Sequence, residues 1–143
     1  MENENNRLDI KEREKAKKLV AEILDCSNCF PRIDLEDINE FFQDGKGLRV
    51  IEVSVNPALE YRTEVLISDI KEKAKQLEPF NDALIFFLMP DNAPLTMDEL
   101  LPLSEWFEDF PKDSSIRWGM GVMPETSAYS LRAIVFLQQR KNS

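Results

Sequence analysis

Two cysteines, two aspartates and two glycine pairs are the residues here whose types and spacing suit chemistry. Cys26-x-x-Cys29 has the spacing of a redox dithiol or of half a zinc site. Zinc wants four ligands, and the chain has no third cysteine and no histidine. A reactive thiol sits at a helix amino terminus, where its pKa falls. These two follow a predicted helix end and stand beside Asp25, which acts the other way. They read as two reduced thiols packed near a helix end. Asp34 and Asp37 form the most interesting acidic pair. Two carboxylates on one loop can orient water or bind a cation. They can equally serve a helix start, Asp34 as N-cap and Asp37 at the positive end, and spacing does not decide between these. Gly45-Lys46-Gly47 lacks the Lys-Ser/Thr pair of a phosphate loop and precedes a strand, so it reads as a tight turn. Gly119-x-Gly121 falls within a strand, where glycine costs stability, so its use suggests close approach of another backbone, an intramolecular helix ahead of a partner.

The missing histidine removes the commonest general base and every histidine triad. An enzyme would have to run on carboxylates, lysine or thiols, and no nucleophile stands out. The expectation is a protein that is not an enzyme and carries no cofactor or metal. Lys and Arg total 18 against 27 Asp and Glu, a net charge of −9. Such a field repels phosphate backbones and anionic lipid, so neither nucleic acid nor membrane is the expected partner, unless the average hides a basic patch. No apolar run approaches the roughly 20 residues of a membrane helix. The start, Met1-Glu2-Asn3-Glu4, is acidic and polar and is no secretory signal. A cytoplasmic protein with a natural start at Met1 is expected.

The elements that must position these residues follow from periodicity. Residues 1–7 read as a disordered tail. Ala16, Leu19, Val20, Ile23 and Leu24 share one face of a helix from Leu8 to about Leu24, in an amino-terminal helical segment drawn at 8–30. A short helix from Asp34 carries Leu35, Ile38, Phe41 and Phe42 on its apolar face. Leu48 to Val55 alternates as a strand. Glu60 to about Leu77 is a helix with Tyr61, Val65, Leu66, Ile70 and Ala74 inward. Ala83 to Met89 is an apolar run suited to a strand covered on both faces. Thr96-Met97-Asp98-Glu99 is a capping box for a helix to about Phe110, which Pro102 should kink or split. Strands follow at Ser115 to Met123 and Leu131 to Leu137, and residues 139–143 form a polar tail. The expected fold is α+β: a two-layer, four-stranded mixed sheet in the order β-α-β-α-β-β, with two helices on one face, preceded by one long and one short helix. The β-α-β steps imply parallel neighbours, and the last two strands an antiparallel pair.

Ile116-Arg117-Trp118-Gly119-Met120-Gly121-Val122-Met123-Pro124-Glu125, followed by Leu131-Arg132-Ala133-Ile134-Val135, resembles the closing hairpin of the bacterial tubulin homologue FtsZ. Ala83 to Leu88 and Leu95 to Glu99 are similar to the preceding strand and capped helix. Ile33-Asp34-Leu35-Glu36-Asp37-Ile38 resembles that family's catalytic loop, in which Asn-x-Asp-x-x-Asp reaches the nucleotide of the next subunit; Arg32 stands where the loop's Asn should be. The resemblance covers about residues 10 to 138 and implies a carboxy-terminal FtsZ-like domain over 31–138, with the first helix as the central helix. The family's Gly-rich GTPase half and adaptor-binding peptide have no counterpart here. It implies a protein partner, an FtsZ-like GTPase or a second copy, with Arg32, Asp34 and Asp37 as the candidate partner-binding loop. The first expectation is a non-catalytic module that modulates a cell-division filament. The alternative is a self-associating homodimer or small-ligand-binding domain that reuses the fold, because the uncovered central helix should expose apolar surface.

Overall fold

The computed structural model describes residues 2–30, 35–43, 45–77, 80–90, 92–123 and 131–140, with side chains for 10–26, 36–43, 45–77, 80–90, 92–123 and 131–139. In chain order the elements are α1 (Glu2–Leu24), β1 (Ser27–Phe30), α2 (Leu35–Gln43), β2 (Gly45–Val55), α3 (Arg62–Lys75), β3 (Asp82–Met89), α4 (Met97–Glu108), β4 (Ser115–Val122) and β5 (Leu131–Arg140). The α+β class and the mixed sheet with two helices on one face stand. Helix α1 already begins within the polar segment 1–7.

Burial on both faces organises the sheet. β3 is buried at every position, and β5 from Leu131 to Gln138 at all but Arg132. Such strands belong in a sheet interior. The strand order is β1-β4-β3-β5-β2. β2 keeps an alternating pattern and takes an edge. β3 and β4 are parallel neighbours through α4, as expected. The other two pairings differ from expectation. β5 lies antiparallel between β2 and β3, so those two are not neighbours. β3 separates β4 from β5, so the last two strands form no hairpin. Pairing β5 with β4 instead would have moved an apolar strand toward the edge. A fifth strand, β1, pairs antiparallel with β4 where only a helix end was expected. Its four residues, Ser27 to Phe30, are too few for periodicity to reveal.

Alternation along the strands splits the core in two. Ile51, Val53, Ile85, Phe87, Ala133 and Val135 face Leu66, Ile67 and Ile70 of α3 and Leu103 and Trp106 of α4. Val50, Leu84, Phe86, Leu88, Ile134 and Phe136 face Ala16, Leu19, Val20 and Ile23 of α1 and Ile38 and Phe41 of α2. The sheet is thus covered on both sides, a third layer beyond the two expected. Gly119 and Gly121 are buried and share the parity of Met123, which packs on the α1 side.

Several local expectations shift. Tyr61 and Val65 are 66% and 40% exposed, because the inward stripe of α3 runs through Thr63, Leu66, Ile67 and Ile70 instead. α4 runs unsplit through Pro102, behind the capping box at Thr96 and Glu99. Pro102 is its sixth residue, where only the Asp98 carbonyl loses a helical donor. Among the described side chains, the outer face of α1 is mostly charged: Lys11, Arg13, Glu14, Lys15, Lys17, Lys18 and Glu22 cover it, interrupted by Ile10, Ala21 and Leu24.

Gly45-Lys46-Gly47 opens β2 rather than making a turn. The register with β5 shifts between Lys46 and Arg49, and Gly47 sits there at φ 67°, as a bulge glycine does. Gly45 abuts Gln138, which is 2% exposed. The Gln138 amide donates to the Phe41 carbonyl at 2.5 Å and to Asp82 Oδ2 at 2.9 Å. A Cβ at Gly45 would fall inside that amide. Gly45→Ala should therefore destabilise the fold by about 1–3 kcal/mol through overpacking, measured by urea denaturation. Gly47→Ala meets no neighbour and should lose only the left-handed backbone preference, about 1 kcal/mol.

Candidate functional site

The candidate loop leads into α2. Of its three residues, Asp37 is described, exposed in the first turn of α2 beside Glu36. Arg32 and Asp34 lie outside the described residues. Helix α2 is short but firmly seated. Ile38 and Phe41 are fully buried beneath it. The Phe42 ring meets Phe41 and Phe136 edge-on at 5.5 and 5.2 Å. Gln138 ties down the Phe41 carbonyl from β5. The middle and end of α2 are therefore tied to the sheet. An acidic first turn matches the positive end of the helix dipole, which accounts for Glu36 and Asp37 locally.

Cys26 follows the end of α1, half-buried, and its Sγ donates to the Glu22 carbonyl at 3.5 Å. The side chain of Cys29 lies outside the described residues. Among the described residues no three His, Cys, Asp or Glu stand close enough to hold a metal ion. No described helix is long and apolar enough to cross a membrane.

Two polar clusters, one buried around Arg62 and one part-exposed around Arg132, escaped the sequence reading. Arg62, 5% exposed, donates from Nε and Nη2 to both carboxylate oxygens of Glu99, at 2.5 and 2.8 Å. The same guanidinium donates to the carbonyls of Pro57, Ala93 and Pro94. Glu99 also accepts from the Thr96 N–H at 3.0 Å and so closes the capping box. One fork thus joins the start of α3, the start of α4 and both loops before them. On the other face Arg132 of β5 reaches Glu22 of α1 at 3.1 Å and Glu52 of β2 at 2.9 Å. Only the capping box was visible in sequence. The partners of Glu99 and Arg132 stand 37, 110 and 80 residues away.

The hydrogen bond from Arg62, stronger than the opposing effect of burial, lowers the Glu99 pKa to about 2 from an ordinary 4.5. A depressed carboxylate adds stability that is fully present above its unfolded value. That stability fades as pH falls from about 4.5 toward 2. Glu99→Gln should flatten this acid limb in urea denaturation between those pH values. Arg62→Met leaves the half-buried Glu99 carboxylate with only its Thr96 partner and should cost about 1–3 kcal/mol at neutral pH.

Comparison with known proteins places the fold. No protein-family profile matches the sequence, and no curated protein matches it. Among solved structures, an FtsZ dimer from M. jannaschii superposes with a TM-score of 0.58 at 16% identity. It covers 81% of this chain and 37% of the FtsZ chain. A tryptophan-to-tyrosine mutant of M. jannaschii FtsZ superposes at 0.63 and 15% identity, over 94% of this chain and 41% of its own. The chain thus has the fold of a part of FtsZ less than half its length, as a carboxy-terminal-like domain would.

Proposed function

We propose that this FtsZ-like domain is a non-catalytic interaction module that modulates the assembly of an FtsZ-like cell-division filament. The observation that carries the reading is the charged outer face of α1. The resemblance makes α1 the counterpart of the central helix. Here that helix covers the sheet with one face and meets solvent with lysine, arginine and glutamate on the other. A domain with that surface stands without a GTPase half against it. The structural likeness to less than half of an FtsZ chain supports the same reading. In this proposal the loop with Arg32, Asp34 and Asp37 meets the nucleotide face of a filament end. Exposed in the first turn of α2, Asp37 takes part in that contact. Purified FtsZ sedimented with this protein should bring it into the pellet, with a change in polymer mass or GTP turnover. Asp37→Ala should weaken co-sedimentation roughly tenfold, the order of one lost charged contact. Unchanged assembly and turnover with no co-sedimentation would sink the reading.

Self-association is a second reading, favoured by one observation. Met97 and Leu101, one turn apart on α4, are 81% and 62% exposed, and Val65 of α3 and Tyr61 just before it are exposed as well. Large apolar side chains turned outward on neighbouring helices suit a partner surface. If the chain pairs there, sedimentation equilibrium should show a concentration-dependent dimer that Met97→Glu/Leu101→Glu abolishes.

A further inference from the structure

The chain's acidic average conceals one basic stripe. Residues 11–18 of α1 hold five of its 18 Lys and Arg but only two of its 27 Asp and Glu. One of those two, Glu12, is engaged by the Val50 N–H at 3.1 Å. Within the stripe, Arg13 and Lys17 are one helical turn apart and border a half-open groove of about 620 Å³ between α1 and α2. Its opposite rim is Asn39 and Gln43, also one turn apart. Its apolar floor is Ala16 and Val20 from α1, Phe42 from α2 and Leu48 from β2.

We infer that this groove receives an amphipathic helix of a partner protein, its apolar stripe on the floor and its acidic residues against Arg13 and Lys17. Two helices with a gap between them, open along one side, leave room for a third helix to insert large side chains. Charge selects the partner's sign. The rest of this acidic surface repels a negative partner, so the stripe is where such a partner is steered and held. Asn39 and Gln43 add neutral hydrogen-bonding groups on the far rim. The inference rests on the interaction-module reading only in taking a protein as partner. At 100° per residue, Asp37 lies on the opposite flank of α2 from Asn39 and Gln43. The groove and the candidate filament loop are therefore separable.

The test is fluorescence anisotropy with a labelled helical peptide of about 18 residues, long enough to hold a helix. Its leucines follow the i, i+3, i+4, i+7 stripe and its remaining positions are mostly glutamate. Binding is expected, with amide shifts confined to residues 13–20 and 39–48. It should weaken at least about tenfold for Arg13→Glu/Lys17→Glu. Lys11→Glu/Lys15→Glu makes the same charge change on the other flank of α1 and should weaken it less than about threefold. All four positions are exposed, so both variants should fold, which circular dichroism checks. Three outcomes overturn the proposal: no binding, equal loss in the two variants, or equal binding of a peptide with its leucines changed to alanine. Binding of dodecanoate in the groove without the peptide would also overturn it, in favour of a small-ligand site. Co-sedimentation of Arg13→Glu/Lys17→Glu with FtsZ tests the filament reading separately, since Asp37 is intact in that variant.

Discussion

A strand that is apolar on both faces cannot rest on one layer of helices. β3 has no exposed residue, and β5 beside it is nearly as buried. Each exposed Leu, Ile or Phe on such a strand would lose about 1.5–3 kcal/mol relative to burial. Both faces must therefore be covered. Helices α3 and α4 cover one, and α1 and α2 the other. The same demand sets the strand order. The two most buried strands, β3 and β5, lie inside the sheet, and β2, with polar residues at alternate positions, takes an edge.

Covering two faces creates a connection problem that hydrophobic burial alone does not solve. Beside the packed side chains, each layer is tied by a directional polar group. Arg62 holds the α3 and α4 ends together through a fork that carbonyls complete on its other donors. Arg132 bridges α1 to β2 across the opposite face. Its carboxylate partners are 39% and 52% exposed, so water screens that bridge and its role is orientation more than stability. Gln138 links α2 to β3 from within the core. These pins tie the elements that border the α1–α2 groove to the sheet.

The sequence by itself determined the elements that local physics controls. The capping box at Thr96 and Glu99, the doubly buried strand at 83–89, the inward stripe of α1 and the alternation of β4 all follow from neighbours within a few residues. Such signals also carried the resemblance to FtsZ, the fold of part of which the chain shares. Tertiary structure decided the rest. Whether β5 pairs with β4 or slips between β2 and β3 depends on which strands need two covered faces, a property of the whole sheet. Four residues of β1 have no period to read. Gly45 looked like a turn because the glutamine that fills its side-chain space stands in β5, 93 positions along the chain. The fork that Arg62 makes was not legible, because Glu99 and the carbonyls of Ala93 and Pro94 stand 31 to 37 residues away. The basic stripe was present in the sequence but averaged into a net charge of −9. Folding turned the apolar side of α1 to the sheet and left two of its cations, Arg13 and Lys17, on the rim of a groove, because burial selects residues by face and charge is displaced to whatever face remains.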